Sequence, residues 1–309
     1  MTTQSSIETL GEKRPRVVVI GSANTDMGAR VPRLPKPGET VLGGEFAMLP
    51  GGKGANQAVA AARLGALVTF VACVGADMFG DQAVLGYEAE GIDTRYVVRD
   101  PDAPTGVALI YVDEKTGENC IVVASGANRC LSVALIERAA EAIRQADVVV
   151  CQLEVPFESV LAALKLAREA GKTTILNPAP PQAVTDELLS YVSVLTPNET
   201  EAAFLAEDAE ALRSRGVAQI VVTLGAEGVL LVTGDGQKRI PVGKAVQAVD
   251  TTAAGDCFTG ALAVGLAEGK TLEVAIAFAN AAAALSVTKP GAQPSLPSRF
   301  ETEQFLAAS

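Results

Sequence analysis

An α/β fold is predicted from the sequence: a mostly parallel central sheet with helices on both faces, and a small β-sheet lid. Short β-branched runs alternate with Ala-rich segments of helical length along most of the chain, which is the pattern of parallel sheets. Two stretches break this alternation and carry turn residues and strand-like runs instead. The chain has 309 residues, 49% of them hydrophobic, so one large domain can bury a sizeable core.

The run from Val17 to Ile20 is β-branched and ends at Gly21, which is typical of a buried strand. Similar runs predict five further strands, at 68–73, 148–151, 173–176, 192–195 and 220–224. Ala-rich segments predict the intervening helices, at 54–64, 79–90, 131–145, 157–170 and 200–213. Strands joined by helices in this way run parallel, because each crossover returns the chain to the same end of the sheet.

The two stretches that break the alternation are residues 27–49 and 104–124. The first contains three prolines before an extended run, and the second carries two strand-like runs around a polar turn, which is a hairpin signal. Together they predict a small lid over one edge of the sheet. Residues 1–14 are polar and lack the apolar core of a signal peptide, so we expect a disordered tail followed by one domain at 15–309.

Composition excludes several functional classes. The chain has no His, which removes the usual general base and the commonest zinc ligand. A net charge of −11 argues against nucleic acid as a partner. Five cysteines without a C-x-x-C pair indicate reduced thiols and a cytoplasmic protein. No apolar run approaches the roughly 20 residues of a membrane span, so no membrane partner is expected.

Residues 250–256 are the most informative stretch. They are mostly small, and an apolar helix pattern follows at once, at 257–267. Uncovered backbone N–H groups at a helix N-terminus, together with the helix dipole, form a site for a phosphate. Asp256 lies at the same place, and we expect its carboxylate to remain ionised at neutral pH. An anion site beside a potential base indicates phosphoryl transfer to a hydroxyl.

Three further features suit a small polyhydroxylated ligand. Residues 51–56 form a Gly-rich opening to a helix, with Lys53 and Asn56 as polar side chains. Asn24 and Asp26 follow the first strand, and a carboxylate there can accept hydrogen bonds from neighbouring sugar hydroxyls. Glu154 follows another strand. Each also has a purely structural interpretation: a Gly-rich turn, turn residues bonded to their own backbone, and a helix start before Pro156.

Two features suit a nucleotide. Asn198 and Glu201 have the spacing to hold a hydrated Mg²⁺ from one helix face, but they also fit a helix cap with an acidic first turn. Residues 223–228 form a strand, a glycine turn and the start of another strand, which could pass along phosphates or be a plain hairpin. Because polar residues follow several parallel strands, a shared cleft at their carboxyl ends is expected.

Taken together, these motifs resemble the ribokinase/PfkB family of carbohydrate kinases, from about residue 17 to residue 297. Residues 51–58, with Gly65 and Gly75, are similar to the first family signature, and residues 250–256 are similar to the second. The resemblance implies ATP-dependent phosphorylation of D-ribose at its 5-hydroxyl, with Mg²⁺ and an activating K⁺. Deoxyribose, another pentose or a nucleoside remains an alternative substrate, and a non-catalytic sugar sensor is an alternative of another class.

The resemblance also implies roles for particular residues. Asp256 is the base, and the anion hole is formed by Ala253, Ala254 and Gly255. Ribose is held by Asn24, Asp26, Gly52, Lys53, Gly54, Asn56, Glu154 and Asp256. ATP lies along Asn198, Thr223, Leu224, Gly225, Ala226, Glu227, Gly228, Gly255 and Asn280, with Mg²⁺ near Glu201. K⁺ lies on Asp250, Thr252, Ser286, Lys289, Gly291 and Ser295. The lid forms a homodimer contact. Asn280 departs from the family pattern, because many relatives carry His there, and so does Ala253, which replaces a common Gly.

Overall fold

The computed structural model describes residues 14–206 and 208–308. Apart from Arg14, the predicted tail at 1–14 lies outside these residues. Within them, no helix combines the length and apolarity that a membrane crossing requires.

Strands and helices are numbered along the chain. The strands are β1 (Arg16–Ile20), β2 (Asn24–Val31), β3 (Glu45–Gly51), β4 (Leu67–Gly75), β5 (Asp93–Asp100), β6 (Gly106–Asp113), β7 (Asn119–Ala124), β8 (Val148–Cys151), β9 (Thr173–Leu176), β10 (Val194–Leu195), β11 (Gln219–Thr223), β12 (Val229–Thr233) and β13 (Gly236–Ile240). The helices are α1 (Lys53–Arg63), α2 (Met78–Ala89), α3 (Val133–Arg138), α4 (Ala140–Gln145), α5 (Phe157–Glu169), α6 (Asp186–Ser190), α7 (Glu199–Leu205), α8 (Ala209–Ser214), α9 (Ala254–Ala267), α10 (Leu272–Ser286) and α11 (Arg299–Ala307).

The large sheet has the strand order β13-β12-β11-β10-β9-β8-β1-β4-β5. Pairing is parallel except at one edge, where β11–β12 and β12–β13 are antiparallel. Alternate residues of β1 face opposite sides, so Val17 and Val19 enter one apolar core while Val18 and Ile20 enter the other. The first core includes α1, α9 and α10, and the second includes α3 to α6. The predicted α/β class, with helices on both faces, is confirmed.

Two predicted helices were each too long. The prediction at 131–145 corresponds to α3 and α4, which meet at Ala139, with a 3₁₀ turn at Gly126–Cys130 before them. The prediction at 200–213 corresponds to α7 and α8. Ala206 is extended, with φ of −160°, and the Asp208 side chain starts a new helix by accepting a hydrogen bond from Ala211 N–H. Both segments are Ala-rich throughout, so composition alone did not reveal the break.

The lid is a second sheet with the order β3-β2-β6-β7. Its β2–β6 pair is parallel, and its other two pairs are antiparallel. Asn24 and Asp26 belong to β2, so their interpretation as turn residues after β1 was wrong. They are the first residues of a strand that leaves the large sheet to enter the lid, and this brings their side chains to the base of the lid.

Candidate functional site

Asp256 lies buried in the first turn of α9, beyond the carboxyl ends of β9, β10 and β11. Its Oδ2 accepts a hydrogen bond of 2.9 Å from Asn56 Nδ2, and its Oδ1 accepts one of 3.0 Å from Gln57 Nε2. Both donors lie on α1, whose first turn therefore faces the first turn of α9. Glycine allows this approach: a Cβ at Gly260 would lie 2.7 Å from Gln57 O and 2.8 Å from Ala60 Cβ.

The start of α9 presents free backbone N–H groups beside this carboxylate. Ala253 precedes the helix with φ of 60° and ψ of 12°, in the left-handed region, which costs an L-residue about 1–2 kcal/mol. Ala254 N–H donates to Thr251 O at 3.2 Å. Gly255 and Asp256 N–H have no acceptor among residues 14–206 and 208–308. Ala253 N–H also has no acceptor in these ranges. Of the three residues predicted to form the anion hole, Ala253 and Gly255 therefore have free N–H groups, whereas the N–H of Ala254 is engaged.

The Gly-rich motif brings α1 close to β1 and to the lid. Gly52 has φ of 90°, and a Cβ there would lie 2.7 Å from Asn24 N. A Cβ at Gly51 would overlap the Asp26 carboxylate, and one at Gly54 would lie 2.6 Å from Ser22 N. The structural interpretation, a Gly-rich turn at the start of a helix, is correct, and the same turn places α1 next to Asn24 and Asp26.

Four carboxylates are near enough to influence the charge of the Lys53 ammonium: Asp26, Glu154, Glu201 and Asp256. Burial is the largest cause that raises the pKa of Asp26, and the negative charges of Glu154 and Asp256 raise it further. The positive charge of Lys53 lowers it, and the result is a pKa of about 7. Burial alone lowers the pKa of Lys53, but the four carboxylates raise it overall. Burial also raises the pKa of Asp256, while Lys53, Asn56 and Gln57 oppose that rise.

Glu154 and Asn24 are each held by a residue that the sequence did not single out. Glu154 Oε2 accepts hydrogen bonds from the Ser22 hydroxyl and, at 3.2 Å, from Lys53 N–H. Asn24 Oδ1 accepts a hydrogen bond of 2.7 Å from Asn128 Nδ2. Because that oxygen is occupied by a donor, the Asn24 amide presents its NH₂ group to the remaining space.

A polar cavity of about 210 Å³ adjoins Asp256. It is lined by Lys53, Asn177, Ala179, Thr196, Asn198, Glu201, Thr223, Thr251, Ala253, Ala254, Gly255 and Asp256. Asn198 and Glu201 form a reciprocal capping box at the start of α7, so the cap interpretation is correct. Both residues also line the cavity. Burial raises the pKa of Glu201, and Asn198 N–H and Lys53 oppose that rise.

A second, mainly apolar pocket of about 290 Å³ continues from the polar cavity. Its lining consists of Thr223, Gly225, Ala226, Gly228, Val242, Lys244, Ala245, Val246, Ala248, Thr251, Ala254, Gly255, Phe258, Asn280, Ala283, Ala284 and Val287. Residues 242–248 form a loop with no polar motif, so sequence reasoning missed them. Leu224 and Glu227 are absent from this lining. Leu224 N–H bonds to Gly228 O, and Glu227 pairs with Arg239 at 2.7 Å.

The segments proposed for K⁺ come together behind the start of α9. Asp250 accepts hydrogen bonds from Thr252 N–H at 2.9 Å and from Gly291 N–H at 2.8 Å. Asp250 N–H donates to Val287 O at 3.2 Å, next to buried Ser286. Lys289 lies on the same loop and pairs with Glu301 at 3.0 Å, while Ser295 is buried in the following 3₁₀ turn. Burial raises the pKa of Asp250, but the hydrogen bonds from Thr252 and Gly291 outweigh burial and lower it overall.

No cluster of three or more His, Cys, Asp or Glu side chains suited to a metal ion occurs in the described ranges. All five cysteines are free thiols. Burial raises the pKa of Cys257, at the start of α9, to about 12, so this thiol is a core residue and not a nucleophile.

Residues 14–299 match the family model described as pfkB family carbohydrate kinase. The ribokinase of Haemophilus influenzae is 45% identical over 95% of this chain and 99% of its own length. The deoxyribokinase of Salmonella typhi is 37% identical, with 94% and 98% covered. The structure of Arabidopsis thaliana ribokinase complexed with ribose and ATP has a TM-score of 0.87 at 35% identity, and covers 96% of this chain and 100% of that chain.

Proposed function

The chain belongs to the pfkB family of carbohydrate kinases, and we propose that it transfers the γ-phosphoryl group of ATP to the 5-hydroxyl of D-ribose. One observation carries this proposal. The Asp256 carboxylate lies between the Asn56 and Gln57 amides, which donate to its two oxygens, and the free N–H groups of Gly255 and Asp256. The carboxylates of Asp26 and Glu154 are near enough to influence its charge. A sugar hydroxyl and a phosphate can therefore meet at this carboxylate.

The ribose side is formed by residues from three elements. Asn24 and Asp26 come from β2, Lys53 and Asn56 from the first turn of α1, and Glu154 from the loop after β8. The Asn56 Oδ1 atom is buried and has no hydrogen-bond partner among the described residues, so it is available to accept a bond from a hydroxyl. Carboxylates that accept and amides that donate suit a ligand with several adjacent hydroxyls.

In the reaction, the ribose 5-hydroxyl donates its proton to Asp256 while the hydroxyl oxygen attacks the γ-phosphorus of ATP. The bond between the γ-phosphorus and the oxygen that stays with ADP breaks. A carboxylate is a weak base for an alcohol, but a loose transition state needs little early deprotonation. The Gly255 and Asp256 N–H groups and the dipole of α9 stabilise charge on the transferring group.

The nucleotide side is formed by the apolar pocket and the polar cavity that joins it. Adenine fits among Phe258, Ala283 and Val287, with Asn280 at the wall. Thr223, Gly225 and Gly228 line the path toward the polar cavity. Two cavities that share Thr223, Thr251, Ala254 and Gly255 suit a molecule with an apolar head and a polar tail.

The donor chemistry of the polar cavity fits Mg²⁺. With all four carboxylates ionised, their four negative charges and one Lys53 charge leave −3 beside the anion site, which would repel ATP. A hydrated Mg²⁺ needs only one or two protein ligands, and Glu201 with Asn198 supplies such oxygens. When bound, the cation neutralises charge on the phosphates.

The loop behind the anion site fits K⁺. Asp250 contacts both Val287 and Gly291 through hydrogen bonds, which brings the 250–252 and 286–291 segments together. Their carbonyl and carboxylate oxygens are the ligands that K⁺ prefers. A bound cation would hold the loop that sets the direction of the Gly255 and Asp256 N–H groups. Turnover should therefore fall when K⁺ is replaced by Na⁺ at equal ionic strength, and an unchanged initial rate would contradict this site.

Coupled release of ADP across a panel of sugars and nucleosides tests the proposed reaction. Ribose should give the highest kcat/KM, with deoxyribose lower because one hydroxyl is missing from a polar site. A preference for deoxyribose or for a nucleoside would overturn the substrate assignment, and no ADP release with any of them would indicate a sugar sensor.

The five free thiols further support our assignment of this reaction to the cytoplasm.

A further inference from the structure

Gln57 is a buried amide next to the proposed base, and none of the roles above includes it. Its side chain is fully buried in α1. Its Nε2 donates to Asp256 Oδ1 at 3.0 Å and to Asn177 Oδ1 at 3.2 Å. Its Oε1 accepts a hydrogen bond from Gln152 Nε2. Both N–H groups and the carbonyl oxygen of this amide are therefore engaged, which fixes the side chain at three points.

The chemistry of Asp256 fixes the direction of the whole chain of hydrogen bonds. A carboxylate only accepts, so Gln57 must turn its NH₂ group toward Asp256 and its oxygen toward Gln152. Gln152 must then donate, which leaves its own Oε1 buried and without a hydrogen-bond partner in the part of the chain that the structure describes. A Cβ on residue 21 would overlap that oxygen, so Gly21 makes room for the arrangement.

This arrangement destabilises the fold at Gln152, whose Oε1 has no partner among the described residues, and favours ionisation of Asp256. A buried acceptor without a partner is destabilising, and an apolar pair at 57 and 152 would avoid it. In return, Asp256 receives a hydrogen bond from Gln57 on one oxygen and from Asn56 on the other. Hydrogen bonds to a carboxylate favour its charged form, whereas burial favours the neutral form.

We infer that Gln57 is a positioning residue which holds Asp256 ionised and aligned for proton transfer, with Gln152 fixing the orientation of Gln57. The inference rests on the proposed role of Asp256 as base. The charged groups that face Asp256 are Lys53 of α1, Glu154 after β8, Asp26 of the lid and Glu201 of α7. Among these groups only Lys53 carries N–H donors, and within the described residues its ammonium makes no hydrogen bond to Asp256 Oδ1.

The test compares Gln57→Met, which keeps the length of the side chain and removes both donors, with Ser159→Ala. Ser159 is also buried, and its hydroxyl donates to Leu131 O on the other face of the sheet. Ribose and ATP are the substrates, and kcat at saturating ribose is measured as a function of pH, together with KM for ribose.

For Gln57→Met, kcat should fall about 10- to 100-fold. KM for ribose should change by less than about threefold. The acidic limb of kcat should move up by about one pH unit. Ser159→Ala should change none of the three.

Gln152→Met provides a second variant in case Gln57→Met does not fold. It should lower kcat in the same direction by a smaller factor and leave KM for ribose unchanged. Normal kcat in both variants, or a loss of kcat without movement of the acidic limb, would overturn the positioning role. Asp256→Asn is measured in the same series. Full activity of Asp256→Asn would refute the assignment of Asp256 as base. If Asp256→Asn is inactive while Gln57→Met has a normal kcat, only the role of Gln57 is refuted.

Discussion

Asp26 is the residue whose chemistry depends most on the lid. It lies on β2 at the point where that strand pairs with β3 and β6, and Gly51 leaves room for its carboxylate. Burial, together with Glu154 and Asp256, raises its pKa to about 7. Its charge therefore changes near neutral pH, while its proposed role is to accept hydrogen bonds from ribose.

Ribose affinity should consequently decrease as pH falls through about 7, because a protonated carboxyl accepts fewer hydrogen bonds from hydroxyls. Calorimetric titration of ribose on both sides of this pH measures the effect, and Asp26→Asn should bind weakly without this pH dependence. An affinity independent of pH in the unmodified protein would contradict this prediction.

The stability of the ligand-free protein should depend on pH in the opposite direction. Between pH 3.8 and about 7 the Asp26 carboxyl is protonated in the folded state and ionised in the unfolded state. The free energy of unfolding therefore decreases as pH rises through this range.

At the scale of elements, the close contact of α1 with α9 sets the geometry of the site. Lys53, Asn56 and Gln57 lie on α1, and Asp256 lies on α9. Gly260 allows the two helices to approach, because its missing side chain would meet Gln57 O and Ala60 Cβ. The distance between the sugar-binding side chains and the base is therefore a property of helix packing.

Replacing Gly260 by Ala should separate the first turns of the two helices. We expect a loss of about 1–3 kcal/mol in the free energy of unfolding, as for other overpacked sites, and a fall in kcat larger than the rise in KM. Denaturant unfolding and steady-state kinetics measure both. Gly86→Ala is the matched control, since a Cβ there meets nothing within 4 Å on helix α2, and it should be neutral or stabilising. Equal behaviour of the two variants would contradict the packing argument.

At the scale of the whole molecule, the fold was predictable and the detailed site only partly so. The β-branched runs of β1, β4, β8, β9 and β11 and their Ala-rich helices leave a strong periodic signal, so the sheet followed from the sequence. The lid was predicted as a small sheet, but the entry of Asn24 into β2 depends on pairing with Gly51 and Gly106, which are distant in sequence. The apolar pocket at 242–248 and the buried amides Gln57 and Gln152 depend on tertiary contacts that no local pattern records.

The lid also bears on assembly, and we expect a homodimer formed through it. Five exposed apolar side chains share one face of this sheet by its pairing register: Phe46, Met48, Leu109, Tyr111 and Val122. The edge strands of the sheet are β3 and β7. Covering such a surface with a second copy removes an aggregation hazard. Light scattering after gel filtration should give a dimer, and Val122→Lys should give a monomer. Leu85→Lys is the control, because Leu85 is exposed on α2. A wild-type monomer, or a dimer that persists in Val122→Lys, would contradict this assembly.

In the proposed reaction, Asp256 accepts the proton of the ribose 5-hydroxyl at the N-terminus of α9. Asp256→Asn keeps the shape of the side chain and removes the base, so its turnover and its ribose affinity should respond differently. We predict that kcat falls by about 100-fold or more, while calorimetry shows ribose binding within about tenfold of the unmodified protein. Turnover close to that of the unmodified protein, with ribose still bound, would contradict the account.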